Sequence, residues 1–173
     1  MDYRQEARRI ASEFGIDPDL FVNLVQAESS FIPDNISEDG AVGLTQIMPN
    51  TAKYLAGRMG LKYDKRRMLT DEVYNIRLGT KYVQELLKSF RGSVVLSIAA
   101  YNAGPGSVKR WIKSYGDPRS RGIDPLVWIE MIPYDETRNY VTRVLSNELV
   151  YRALLGKNPL KFDRAKKNFG HIF

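Results

Sequence analysis

An eight-residue segment just past the middle of the chain reads Val94-Val95-Leu96-Ser97-Ile98-Ala99-Ala100-Tyr101. A helix drawn through it is apolar on every side, which is typical of a helix buried in the centre of a domain. A buried strand is the alternative, because short apolar runs fit either structure. The alanines, and the helical patterns on both sides, favour the helix. We therefore predict a mainly α-helical protein with a buried central helix here.

Helical spacing continues from this segment toward the N-terminus. A first helix is predicted by apolar residues that lead to a glycine: Ala7, Ile10, Ala11, Phe14 and Gly15. The second opens with Asp17 as its N-cap and Pro18 in its first turn, and Pro33 prevents its continuation. Two amphipathic helices follow, each closed by a glycine: Ala52, Leu55, Ala56, Met59 and Gly60 in one, and Val73, Ile76, Thr80, Val83, Leu87 and Gly92 in the other.

The remaining segments divide into irregular and helical stretches. Residues 34–46 have no sustained period and contain two glycines, so they predict a loop or a small β-hairpin. Residues 102–106 predict a tight, buried turn, and a short helix follows at Val108, Trp111, Ile112 and Tyr115. A further short helix is predicted to start near Asp124-Pro125, and a long one to run from about Asp135 to Leu155.

Length and composition are those of one globular domain. The chain has 173 residues, of which 43% are hydrophobic and 27% charged. We predict one compact domain at residues 1–156 and a basic C-terminal tail at residues 157–173, packed on that domain or trailing from it. The tail holds +4 of the formal charge of +6, which leaves +2 for the rest. A solvated charge run explains the tail without a specific partner, and we assign it none.

The residue types present exclude several kinds of chemistry. With no cysteine, the chain has no disulfide, no thiolate nucleophile and no cysteine-bound metal. The one histidine, His171, argues against a histidine metal cluster or a Ser-His triad. No apolar run is long enough to predict a transmembrane helix. We expect no metal and no cofactor, so the chemistry falls to carboxylates, hydroxyls and amides.

Glu28 lies on the apolar stripe of the second predicted helix, near its C-terminal end. Desolvation and the negative end of the helix dipole both disfavour the charged carboxylate and raise its pKa. A general acid that works near neutral pH needs such a raised pKa. We therefore expect Glu28 to titrate above a model glutamate.

Periodicity alone does not single out Glu28. Glu148 stands in the same relation to a stripe of its own, formed by Val141, Val144 and Leu145. A buried structural glutamate paired with arginine or lysine is the plainer explanation of either pattern. Glu28 directly precedes the irregular loop, where a substrate could reach it, whereas Glu148 sits in mid-helix with Arg143 and Arg152 nearby. On spacing alone, a structural and a catalytic Glu28 both stay open.

Four blocks in one order carry a resemblance: Glu28-Ser29, Gly43-Leu44-Thr45-Gln46-Ile47-Met48-Pro49, Ala100-Tyr101-Asn102-Ala103-Gly104-Pro105-Gly106, and Ile132-Pro133-Tyr134-Asp135-Glu136-Thr137-Arg138-Asn139-Tyr140-Val141. Together they resemble the catalytic domain of the soluble lytic transglycosylases over about residues 4–156. Two positions depart from the common form of this family: Thr45 replaces a methionine, and Glu38 stands where proline is frequent.

The resemblance implies a lysozyme-like helical fold with a groove for the glycan strand of peptidoglycan, in which N-acetylglucosamine and N-acetylmuramic acid alternate. It implies an enzyme of the periplasm or cell envelope, associated with that envelope, and no nucleic acid partner. The first residues, Met1-Asp2-Tyr3-Arg4, lack the apolar segment of a secretory signal. We therefore expect either an unusual export route or a domain taken from a longer protein. The sequence carries no signal for an oligomeric state.

The resemblance also implies roles for matching residues. Glu28 would be the acid and base, and Ser37 would hold the N-acetyl or 6-hydroxyl region of the muramoyl sugar. The others would surround the substrate: Gln46 and Met48 along the groove, Tyr101 against Glu28 or the acetamido group, Asn102 on the same wall, and Glu136 near the floor with Arg138 balancing its charge. Structural alternatives exist, with Tyr101 as core, Met48 as packing and Gln46 as a partner for loop backbone groups.

The reaction implied is cleavage of the β-1,4 bond between N-acetylmuramic acid and N-acetylglucosamine without water, leaving a 1,6-anhydromuramoyl end. One glutamate suffices because the acetamide of the substrate assists. Two rival functions stay open. One is a hydrolase resembling goose-type lysozyme, in which Asp34 or Asp39 activates water, although loop aspartates are usually turn formers. The other is a non-catalytic glycan-binding module with Trp111 and Trp128 as sugar platforms.

Overall fold

The computed structural model describes the backbone of residues 2–154 and the side chains of residues 2–146. Nine helices occupy most of that backbone: α1 (Tyr3–Glu13), α2 (Pro18–Ser29), α3 (Pro49–Arg58), α4 (Arg67–Thr70), α5 (Glu72–Ser89), α6 (Val94–Ala103), α7 (Pro105–Tyr115), α8 (Pro125–Glu130) and α9 (Asp135–Leu154). The prediction of a mainly α-helical protein is confirmed. The basic tail at residues 157–173 and the side chain of Glu148 lie outside the described residues.

The chain divides into two compact units, Met1–Gln84 and a second that begins at Glu85. In the first unit, α1 packs against α2, and Ile10, Phe21 and Leu24 are completely buried. Asp2 and Asp17 cap these helices by accepting hydrogen bonds from backbone N–H groups of the first turn. The Asp17 cap of α2 was predicted, whereas the Asp2 cap of α1 was not.

Helix α2 ends at Ser29, four residues before Pro33. Ser30 and Phe31 both adopt positive φ angles, of 52° and 59°, a conformation that is rare for bulky residues. Phe31 is buried, and the guanidinium of Arg4 lies 4.4 Å from the centre of its ring. Tertiary contacts therefore hold the sharp bend that directly follows Glu28.

The segment after this bend is a small antiparallel arrangement without a full strand. Isolated bridges pair Ile36 with Val42, and Val42 with Ile47. This agrees with the predicted loop or small β-hairpin. Helix α4 has only four residues, too few to show a period, and was not predicted. None of the helices in the described part of the chain combines the length and hydropathy needed to cross a membrane.

In the second unit, α6 is the buried central helix that was predicted. All eight residues from Val94 to Tyr101 are at most 8% exposed, and the helix packs against α7 and α9. The Oγ atom of Ser93 caps it by accepting a hydrogen bond from the Leu96 N–H at 3.3 Å. An apolar helix surface on all sides is stable here because neighbouring helices cover it.

The prediction of a tight, buried turn at residues 102–106 is wrong in extent and burial. Helix α6 continues through Ala103, and α7 begins at Pro105. Gly104 alone separates them, at φ 87° and ψ 147°, and Gly106 is exposed. Proline favours the first position of a helix, and a glycine tolerates these angles, so one residue is enough to redirect the chain.

Candidate active site

Glu28 is half-buried and is the penultimate residue of α2. The next residue, Ser29, is buried, and its hydroxyl donates to the carbonyl oxygens of Leu44 at 2.7 Å and Val25 at 3.3 Å. The contact with Leu44 joins the end of the helix to the loop block Gly43–Pro49. The first two motif blocks are therefore held together by a hydrogen bond beside the candidate acid.

A buried asparagine on α5 also holds this loop. Asn75 is completely buried; its Oδ1 atom accepts from the backbone N–H of Thr45 at 3.0 Å and from the Thr45 hydroxyl at 2.5 Å. Its Nδ2 group donates to the carbonyl oxygens of Val42 and Met68, each at 3.0 Å. Buried backbone groups outside regular structure need such partners. Asn75 therefore supplies the hydrogen bonds that a strand ladder would otherwise supply.

Two glycines let the loop and α5 come this close. A Cβ atom at Gly43 would lie 2.2 Å from Asn75 Nδ2 and 2.8 Å from the carbonyl oxygen of Met68. A Cβ atom at Gly79 would lie 2.4 Å from Thr45 Cγ2. Neither position can accept a side chain without movement of its neighbours. Asn75 and Gly79 were not predicted as site residues, although their four-residue spacing puts both on one face of α5.

Thr45 is completely buried, and its side chain points into the first unit. Its hydroxyl donates to Asn75 Oδ1, and its methyl group faces Gly79. The departure from the family's methionine at this position therefore concerns internal packing of the loop on α5.

Gln46 has a positive φ angle of 52° and is half-buried. Its Nε2 group donates to the carbonyl oxygens of Asn35 and Gly43, both at 2.9 Å. These bonds favour the structural alternative for the amide nitrogen, which satisfies loop backbone groups. A role of Gln46 in substrate binding therefore falls to its amide oxygen.

Ser37 and Met48 both lie in the segment that connects α2 to α3. The Ser37 hydroxyl accepts a hydrogen bond from the backbone N–H of Ala41 at 2.9 Å, and the side chain is half-buried. Its own proton can still be donated to a sugar oxygen. Met48 precedes α3 and is 43% exposed, which argues against the alternative of a plain packing residue.

The remaining candidates belong to the second unit. Tyr101 is 8% exposed on α6, and the next residue, Asn102, is half-buried. The Oδ1 atom of Asn102 accepts a hydrogen bond from the Thr137 hydroxyl of α9 at 2.7 Å. The structure thus joins the third and fourth motif blocks through side chains. Glu136, in the first turn of α9, is exposed.

Arg138 does not balance the charge of Glu136 as the resemblance implied. Its guanidinium pairs with Asp135 and donates to the carbonyl oxygen of Ile132 at 2.9 Å. Asp135 is three residues away on the same helix face, whereas Glu136 is only two residues away and points elsewhere. Arg138 therefore ties the start of α9 to the chain before it.

The residues named for the two rival functions are also placed. Trp111 and Trp128 are 5% and 1% exposed, and their ring centres lie 6.4 Å apart. The indole N–H of Trp128 donates to the carbonyl oxygen of Gly116 at 3.0 Å. Buried indoles cannot stack on a sugar, so their assignment as sugar platforms was wrong. Asp34 and Asp39 are exposed and lie in turns.

The part of the chain that the structure describes contains no group of three histidine, cysteine, aspartate or glutamate side chains close enough to hold a metal ion. The arrangement that it does contain is one half-buried carboxylate at a helix end, beside a loop anchored by buried hydrogen bonds. Such an arrangement can place a proton donor at a fixed position.

Comparison with known proteins gives consistent family matches. Residues 5–122 match the transglycosylase SLT domain, and residues 131–160 match the soluble lytic transglycosylase helical domain. The chain is 36% identical over 158 residues to the soluble lytic murein transglycosylase of Escherichia coli K12, covering 91% of this chain and 24% of that protein. It is 34% identical over 129 residues to membrane-bound lytic murein transglycosylase D of the same organism, covering 75% and 27%.

Solved structures agree with this. An inactive mutant of the lytic transglycosylase Slt of Pseudomonas aeruginosa is similar with a TM-score of 0.78 and 37% identity, over 91% of this chain and 25% of that one. The 70 kDa soluble lytic transglycosylase of Escherichia coli is similar with a TM-score of 0.79 and 35% identity, over 91% of this chain and 25% of that one.

The chain spans about a quarter of the length of these relatives. Its described helices nevertheless follow their lysozyme-like fold, and the family match includes Glu28, the loop block Gly43–Pro49 and Asn102. On these matches, the chain belongs to the transglycosylase SLT domain family of the lytic murein transglycosylases.

Proposed function

We propose that this chain is a lytic transglycosylase that cleaves the β-1,4 bond between N-acetylmuramic acid and N-acetylglucosamine in peptidoglycan, with Glu28 as its only acid and base. The observation that carries the proposal is the position of Glu28, half-buried at the end of α2 beside the Ser29–Leu44 hydrogen bond. Membership of the family supports the substrate. The site of action is the periplasm or cell envelope.

Glu28 acts twice in this mechanism. It first donates its proton to the glycosidic oxygen as the bond from that oxygen to the anomeric carbon breaks. The acetamide oxygen of the muramoyl sugar forms a bond to the same carbon. Glu28 then takes the proton of the muramoyl 6-hydroxyl, whose oxygen displaces the acetamide and closes the 1,6-anhydro ring. No water enters the products, so no second carboxylate is needed, in contrast to most glycosidases.

The other candidate residues position the substrate. Six residues carry the proposed substrate contacts: Ser37, Gln46, Met48, Tyr101, Asn102 and Glu136. The Ser37 hydroxyl and the Gln46 amide oxygen act as hydrogen-bonding groups. Positioning matters because orienting an intramolecular nucleophile can lower the activation barrier by about 7–11 kcal/mol. The hydrogen bonds that hold Gln46 and Asn102 support this, because a preordered group loses less freedom on binding.

The products of digestion in heavy-oxygen water test the proposal. Attack by the 6-hydroxyl predicts anhydro-muropeptides with no label at the new end, as measured by mass spectrometry. Attack by water would add one labelled oxygen and create a reducing end. Labelled reducing ends as the main product would refute the transglycosylase reaction and indicate a hydrolase, with Asp34 and Asp39 as the first residues to replace.

A further inference from the structure

Helix α8, in the second unit, carries more apolar residues than its buried face holds. Its six residues read Pro125-Leu126-Val127-Trp128-Ile129-Glu130. Trp128 and Ile129 are buried, whereas Leu126 and Val127 are 49% and 53% exposed. Adjacent exposed apolar side chains are typical of a surface that binds another segment or protein. The exposed side of α8 is therefore a candidate docking surface.

The two exposed apolar side chains of α8 line an open cavity of about 320 Å³ between α8 and α9. The buried residues Ile129 and Leu145 also line it, so its wall is mostly apolar. The Thr142 hydroxyl, at the same cavity, donates to the Arg138 carbonyl oxygen of its own helix at 2.8 Å. A sugar needs several hydrogen-bonding partners, which such a wall does not supply. The cavity is at the lower end of the range of about 300–1,000 Å³ for ligand pockets, and it suits one or two large apolar side chains of a peptide segment.

The segment that follows α9 contains such side chains. Residues 157–173 combine their net charge of +4 with five large apolar residues: Leu160, Phe162, Phe169, Ile172 and Phe173. A charge run that is solvated throughout has few aromatic residues, so charge alone does not explain this composition. Leu160 and Phe162 are two positions apart, and residues at that spacing point to the same side of an extended segment. Both side chains can therefore enter one cavity.

The cavity lies within reach of this segment. Ser146, which lines the cavity, precedes Leu154 at the end of α9 by eight residues, or about 12 Å along the helix axis. The six residues 155–160 span at most about 20 Å when extended. Asn158-Pro159 is a turn signal within this stretch. The chain can therefore reverse after α9 and bring Leu160 back to the cavity.

Charge at the cavity also favours this occupant. Glu130 lines the cavity and is exposed, and no lysine or arginine lines it. Among the side chains that the structure describes, Glu130 forms no salt bridge. The basic residues of the segment therefore meet an acid rather than a like charge.

We propose that the cavity between α8 and α9 binds the C-terminal segment of this same chain, with the Leu160 and Phe162 side chains inside it and Lys161 beside Glu130. The short connection to α9 favours this segment over a second copy of the chain, because a tether raises the local concentration of the segment at the cavity. The proposal concerns the second unit alone and does not depend on the proposed reaction.

Disulfide trapping in the full chain tests the proposal, because the sequence contains no cysteine that would interfere. Ser146→Cys places one thiol at the cavity, and Asp163→Cys places the other directly after Phe162. A disulfide forms only when the two Cα atoms approach within about 7 Å. We expect a cross-link within one chain, measured by non-reducing electrophoresis and peptide mass spectrometry of dilute protein. Disulfide-linked dimers as the main product would overturn the proposal and indicate a second copy as the occupant.

Matched variants of the same cysteine pair separate docking from chance collision. Replacement of Leu160 and Phe162 by serine should slow the cross-link roughly tenfold, because their apolar area is no longer buried in the cavity. Replacement of Phe169 and Ile172 by serine also removes one aromatic and one aliphatic side chain, and should leave the rate within about twofold because tether and cavity are unchanged. Val127→Glu, which puts a charge on the cavity wall, should slow the cross-link as Leu160 and Phe162 replacement does. Equal rates for the two serine variants would overturn the proposal.

Hydrogen exchange of the cysteine-free chain gives a second measurement. The backbone amides of α8 should exchange roughly tenfold faster when Leu160 and Phe162 are replaced by serine, because a covering segment is lost. The amides of α6 should exchange as in the parent, which shows that the second unit remains folded. Exchange in α8 equal to that of the parent would contradict the proposed docking.

Discussion

The loop block Gly43–Pro49 in the first unit and the helical block Ala100–Gly106 in the second each contain glycine, proline and one side-chain amide, but they are held by different forces. The first is irregular, and the side chains of Asn75 and Gln46 form hydrogen bonds with its Thr45 N–H and its Gly43 carbonyl oxygen. The second is mostly helix. Ala100 and Tyr101 are buried by packing, residues 102–105 are half-buried, and the Asn102 side chain accepts one hydrogen bond from the Thr137 hydroxyl. Polar motif residues in an irregular segment therefore serve the backbone first, whereas in a helix they are available for other partners.

The difference also concerns chemistry, since the proposed acid belongs to the first unit. Glu28→Gln should keep the fold and glycan binding and reduce turnover by roughly 10²–10⁴-fold or more, because the amide retains the shape without a transferable proton. The rate at which soluble muropeptides are released from peptidoglycan measures this turnover. Glu148→Gln is the matched control, with the same exchange at the same apolar spacing, and should affect stability more than turnover. Turnover by Glu28→Gln close to that of the parent would refute the assignment.

The two motif glycines should differ in what they tolerate. Gly43→Ala combines a φ angle of 78° with a Cβ atom 2.2 Å from Asn75 Nδ2, so we expect a loss of about 4 kcal/mol in the free energy of unfolding. Gly104→Ala has open space around the new Cβ atom and only the backbone angles to resist it, so we expect about 2 kcal/mol. Urea denaturation of both variants compares them. Equal losses would show that the first block is no more tightly packed than the second.

The two asparagines separate backbone support from side-chain pairing. Asn75→Ala should cost about 3 kcal/mol, because the Thr45 N–H and the carbonyl oxygens of Val42 and Met68 lose a buried partner. Asn102→Ala should cost about 1 kcal/mol, because its partner is one hydroxyl. Thermal unfolding without glycan gives both values. A larger loss at Asn102 would reverse the comparison, and Asn75→Asp, which keeps the acceptor but removes the donor, should fall between parent and alanine.

The smallest expected effect is the shift in the pKa of Glu28. Half-burial and the negative end of the α2 dipole should raise the pKa of Glu28 above that of a model glutamate. A raised pKa keeps the acid form present at higher pH, so cleavage should decline as the pH rises through that pKa. Carboxylate NMR of the free domain measures the pKa of Glu28 directly. A normal or lowered value would remove the physical argument for Glu28 as an acid near neutral pH.

Local patterns determined most of the helices. Caps such as Asp17, glycine stops and apolar spacing act within one or two turns, so the sequence was sufficient to predict α1, α2, α6 and the start of α8. The turn between α6 and α7 was predicted too long because Gly and Pro signal a break without giving its length. The order of the four blocks likewise indicated the family, and through that resemblance it predicts Glu28 as the acid and base.

Tertiary structure decided what the polar motif residues do. Thr45 bonds to Asn75, thirty residues away in the sequence, and Asn102 bonds to Thr137, thirty-five residues away. No periodic pattern encodes such pairs, because a hydrogen bond depends on where two distant segments meet. The burial of Trp111 and Trp128 could not be predicted for the same reason. A tryptophan can stack on a sugar or pack in a core, and only its tertiary surroundings decide which.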